Sequence, residues 1–126
     1  MSNLMNVQIS KKGNSSIAII ESDEMLLTNE KSALDLITEV YYEYGCSKII
    51  IKKEAVPEDF FLLRTGLAGE ILQKFINYRA KLAIIGEFEN YHSKSLHDFI
   101  YESNKGNSIF FLPTIEEAII RLHSYE

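Results

Sequence analysis

Lys48-Ile49-Ile50-Ile51-Lys52 decides how this chain is read. Three successive isoleucines between lysines leave no polar face, so a strand built from them is covered on both sides, as in a parallel sheet. Upstream, Ala33, Leu34, Ile37, Val40, Tyr41 and Tyr44 fall at the spacing of one buried stripe, which predicts a helix over Asn29 to Tyr44. Gly45 is its stop signal. Downstream, a loop from Lys53 to about Arg64 carries Pro57 among the acids Glu54, Glu58 and Asp59. A helix then runs from Gly66 to Tyr78, with Leu67, Ile71, Leu72 and Phe75 on its inner face. Leu82-Ala83-Ile84-Ile85-Gly86 follows as another buried strand.

The same reading extends to both ends. Val7 to Lys12 and Ser16 to Ile20 are strands joined by the turn Gly13-Asn14-Ser15, and the second is apolar on both faces. Ser95-Leu96-His97-Asp98 fits a capping box opening a helix through Ser103. Asn104 to Asn107 turns the chain into the strand Ser108 to Leu112. Pro113-Thr114-Ile115-Glu116-Glu117 opens a last helix, striped by Ile115, Ala118, Ile119 and Leu122. The order β-β-α-β-α-β-α-β-α predicts an α/β fold, a mixed and mainly parallel sheet with flanking helices, in one domain over residues 1–126. Its expected core includes Ile17, Ile19, Ile49, Ile51, Leu72, Phe75, Ile84, Phe110 and Leu122.

Composition narrows the function classes. At 46% apolar residues and 126 residues in all, the chain has enough material for a core. Its net charge is −5 with both signs interleaved, unlike the clustered Lys and Arg of a nucleic-acid surface. No apolar run approaches the roughly 18–20 residues that span a bilayer. Met1-Ser2-Asn3-Leu4-Met5-Asn6 has no charged segment leading into an apolar one, so no leader is expected. Cys46 is the only cysteine, which precludes an internal disulfide and points to a cytoplasmic setting.

Arg64-Thr65-Gly66-Leu67-Ala68-Gly69 places a hydroxyl and two glycines where a loop enters a helix. Unpaired N–H groups and a partial positive charge at such a start favour an anion or a phosphorylated hydroxyl. Thr65 is therefore the residue to watch. Its plain reading is a helix N-cap. Arg64 has the geometry to clamp a phosphate or carboxylate, with an exposed pair to Glu58 or Asp59 as its ordinary fate.

Other residues carry bland readings. His92, His97 and His123 lack metal-site spacing, and His97 belongs to a first helical turn. Cys46, between a helix stop and a buried strand, reads as an inert thiol. Ser93-Lys94-Ser95 is a loop leading into a cap, and Glu87 and Glu89 flank Phe88 at a strand exit. Tyr41, Tyr42, Tyr44, Tyr78, Tyr91 and Tyr101 mostly complete the core or its rim. No catalytic pair, metal set or cofactor motif stands out.

The succession of elements resembles the STAS fold of sulfate transporters and bacterial anti-sigma factor antagonists. In the antagonists the loop after the third strand ends in an Asp-Ser-Ser-Gly-Leu-Gly type motif opening the second helix. Arg64 to Gly69 occupies the equivalent place, with Arg64 standing where the motif has an acid. Lys81 to Gly86, Ile109 to Leu112 and Ile115 to Ala118 are also similar to STAS-like bacterial proteins. The whole chain, Phe60 to Tyr78 above all, resembles a small bacterial family of unknown function.

The STAS resemblance implies a regulatory interaction module without enzymatic activity. The antagonists' serine is phosphorylated by the anti-sigma factor, which releases the partner; by position that role falls to Thr65. Arg64, Gly66, Gly69, Glu58 and Asp59 would form the surrounding contact surface for a protein partner. The alternative is a small anionic-ligand-binding protein or enzyme using the Arg64-Thr65 helix start, and a homodimer is a third, purely structural role. Nucleic acid and membrane are not expected partners.

Overall fold

A computed structural model describes residues 5–125. The reading of Met1 to Leu4 as free of a leader lies outside these residues. Within them the chain forms β1 (Met5–Lys12), β2 (Ser15–Ser22), α1 (Glu30–Tyr44), β3 (Lys48–Lys52), α2 (Leu67–Asn77), β4 (Lys81–Ile85), α3 (Lys94–Lys105), β5 (Ile109–Leu112) and α4 (Ile115–His123). This is the α/β order expected, and the order the STAS resemblance implies.

The sheet runs β1-β2-β3-β4-β5, antiparallel between β1 and β2 and parallel thereafter. Sequential parallel strands joined by right-handed crossovers place every connecting helix on one face. Accordingly Ala18, Ile20, Ile49, Ile51, Leu82, Ile84 and Phe111 pack with residues of α1, α2 and α3. Their alternates Ile17, Ile50, Ala83, Ile85 and Phe110 point the other way, against Ala118 and Leu122 of α4. The isoleucine run of β3 thus feeds both layers, as its lack of a polar face requires.

The expected core residues are buried except Ile19, which is only partly covered. It faces the α4 side beside the edge strand, where Asn6 and Gln8 of β1 bring no apolar cover.

Helix ends follow side-chain chemistry. Asn29 caps α1, its side chain accepting from the Ser32 N–H while Ser32 answers to the Asn29 N–H. The capping box expected at Ser95 is displaced: Ser93 is the N-cap of α3, accepting the Leu96 N–H at 3.1 Å. Starting there buries Leu96 and turns Phe99 and Ile100 inward. It also sets Lys94 against Asp98 at 2.8 Å.

The α2 helix ends one residue earlier than expected, in a Schellman turn. Ala80 N–H donates to Phe75 O at 2.8 Å and Arg79 N–H to Ile76 O at 3.2 Å. Arg79 occupies the position that usually holds glycine, with φ of +58°. A side chain there costs about 1–2 kcal/mol.

Candidate functional site

The segment expected to be a loop before α2 is instead a chain of short 3-10 turns, Lys53–Ala55, Glu58–Phe61 and Leu63–Thr65. Their apolar residues fix them. Phe60 and Phe61 are fully buried, and Phe61 stacks on Tyr91 and packs against Phe88 beyond β4. Phe88 and Phe60 both reach Phe111 of β5. This aromatic cluster clamps the segment to the C-terminal end of the sheet.

Lys53, Glu58 and Tyr91 seal the outer edge of the clamp. The Lys53 ammonium lies over the Tyr91 ring, 5.0 Å from its centre, and 3.6 Å from the Glu58 carboxylate. The Tyr91 hydroxyl donates to Glu58 at 3.1 Å. Tyr91 first, and then the Glu58 charge, push the Lys53 ammonium up from its ordinary pKa against the opposing effect of burial. Burial raises that of Tyr91. Gly86 makes the approach feasible: a Cβ there would lie 2.8 Å from Lys53 Cβ.

The expected site residues fall on the rim of this assembly. Thr65 is exposed, and its hydroxyl lies within bonding distance of two carbonyls, Leu62 O at 2.8 Å and Asp59 O at 3.0 Å. The same oxygen accepts the Leu67 N–H at 3.2 Å. Thr65 therefore ties two turns to the first residue of α2. The N-cap itself is Gly66, whose φ of +78° suits glycine and leaves the helix start without a side-chain cap. Sequence placed the hydroxyl one residue too close to the helix, because the left-handed turn at Gly66 intervenes.

Arg64 is exposed and makes no ion pair among the described residues. The expected partners are otherwise engaged: Glu58 faces Lys53 and Tyr91, and Asp59 meets Thr65 only through its carbonyl. Beside Arg64 an open hollow is lined by Phe61, Leu62, Leu63, Ser93 and Ser95, and Thr65 is not part of its wall. Gly69 lies exposed on the first turn of α2 with open space about its Cα.

Glu87 and Glu89 stand exposed on either side of buried Phe88, lining a neighbouring hollow with His97. The Cys46 thiol is buried and pushed up in pKa by that burial. The tyrosines depart from expectation: Tyr41, Tyr42, Tyr44, Tyr78 and Tyr101 are exposed, and Tyr91 alone of the six is partly covered. Among the described residues no cluster of His, Cys, Asp or Glu is placed to hold a metal, and no helix is long and apolar enough to cross a membrane.

A polar network escaped the sequence reading. Lys48, the first residue of β3, is buried and donates to Ser15 Oγ at 2.7 Å and to the Tyr125 carbonyl. Ser15 Oγ lies 2.7 Å from His123 Nδ1, whose ring also meets Ser10 Oγ at 2.9 Å. The partners lie far apart in the chain, so no local pattern announces them.

Residues 12–122 match the family DUF4180, a domain of unknown function. The chain belongs to that family. No curated protein matches this DUF4180 chain. Among solved structures it is similar to the anti-sigma factor antagonist SpoIIAA in its unphosphorylated form. That likeness has 11% identity and a TM-score of 0.39, over 96% of this chain and 100% of the other. No residue role is transferred from it.

Proposed function

We propose that this protein is a cytoplasmic, non-enzymatic regulatory interaction module that docks a protein partner through the Glu58 to Gly66 turns and the start of α2. Thr65 is its switch, and Arg64 and Gly69 belong to the contact surface. The observation that carries the reading is the triple role of one exposed hydroxyl, which faces Leu62 O and Asp59 O while accepting the Leu67 N–H.

Phosphorylation replaces the hydroxyl proton, so neither carbonyl keeps its donor. It also adds about −1.5 to −2 charges beside them. The free N–H groups at the start of α2 attract the phosphate, while the Asp59 and Leu62 carbonyls repel it. The turns must rearrange, and with them the surface a partner reads. The open hollow beside Arg64, with Thr65 outside it, favours a protein partner over an enclosed anionic ligand.

Affinity capture from a bacterial lysate tests this, using wild type, Thr65→Ala, Thr65→Ser and Thr65→Glu, each first checked by thermal melt. One partner retained by wild type and Thr65→Ser and lost by Thr65→Glu is the expected result, with Thr65→Ala measuring what loss of the hydroxyl alone costs. Equal retention by a folded Thr65→Glu protein rejects the switch.

A further inference from the structure

At the opposite end of the sheet from Thr65, the closing ends of α1 and α2 flank a groove of about 470 Å³. Its size lies within the roughly 300–1,000 Å³ of small-molecule sites. Tyr41, Tyr42 and Tyr78 wall it, each more than half exposed at 57%, 83% and 53%. Cys46 and Ile49 form its floor. Tyr41 and Tyr42 meet edge to face, 5.4 Å between ring centres, so the three rings gather around one concavity.

Among the described residues Arg79 is the only charged one in the lining, and its side chain makes no ion pair or hydrogen bond with any of them. It projects from the left-handed position of the Schellman turn, where glycine would relieve strain. Backbone strain of this kind is characteristic of ligand clamps. The C-terminal ends of the two helices contribute about half a negative charge each. Their carbonyls are engaged, however, with Tyr41 O, Phe75 O and Ile76 O accepting from Gly45, Ala80 and Arg79.

We infer that this groove binds a small molecule with a flat apolar body and one anionic group, the body lying between the tyrosines and the anion meeting Arg79. The site is independent of the Thr65 switch.

Anilinonaphthalene sulfonate has this chemistry, and phenylnaphthylamine is the same body without the charge. Wild type should bind both. Arg79→Asn tolerates the backbone and removes the charge; it should weaken sulfonate binding about tenfold and leave the neutral probe within about twofold. Arg79→Gly should show the same selective loss while melting at a higher temperature than wild type. Arg64→Gln, at the far end, should change neither probe. Equal sulfonate affinity in wild type and Arg79→Asn, or equal loss of both probes, overturns the assignment.

Discussion

Gly86 shows how much a single missing methyl group can position. Lys53 Cβ is fixed to its backbone and cannot swing away from a new Cβ at 2.8 Å. Gly86→Ala should therefore cost about 1–3 kcal/mol in urea unfolding. It should also loosen the Lys53–Glu58–Tyr91 contacts that hold the turns under Thr65. An unchanged midpoint would mean that the exit of β4 yields easily. At this scale the sequence was partly legible. A hydroxyl next to a glycine at a helix start announces Thr65, but the reading of Thr65 as the cap depends on Gly66 being helical. Its φ of +78° is a backbone choice that residue types alone do not dictate.

Elements were most legible where one chemical rule governs them. The β-branched runs of β2, β3 and β4 appear where the sequence puts them, and α1 keeps its predicted place, but Leu36 joins its buried stripe while Tyr41 and Tyr44 stay exposed. The start of α3 was missed because Ser93 and Ser95 are both competent caps, and the burial of Leu96 chooses between them. Ser93→Ala should thus cost about 1 kcal/mol in a thermal or urea melt. Ser95→Ala should fall within about 0.5 kcal/mol of wild type. The reverse order would restore the later start. The turns between β3 and α2 were illegible for a different reason. Phe60 and Phe61 have no periodicity of their own and take their places from Phe88 and Phe111, well along the chain.

Across the whole molecule, the Ser10–His123–Ser15–Lys48 network ties the end of α4 to three strands. Burial first, then the Lys48 and Lys12 charges, hold His123 below its ordinary pKa of 6.5. A lowered histidine binds its proton more readily once unfolded. Its contribution to stability is therefore complete above about pH 6.5 and is lost as the pH falls from there toward the folded value. Wild type should melt at a lower temperature at about pH 5.5 than at about pH 7, and His123→Gln should lose much of that difference. Parallel curves for the two proteins would remove His123 from the account. The sheet order has a further consequence, for the growing polypeptide. Because β2, β3, β4 and β5 lie side by side in the order they are made, each strand leaving the ribosome meets an edge already waiting for it. The second face fares differently. Ile17, Ile50 and Phe110 gain their cover from α4, so a nascent chain stalled before Ile115 presents a finished sheet with one greasy side bare, the form most open to chaperones and proteases.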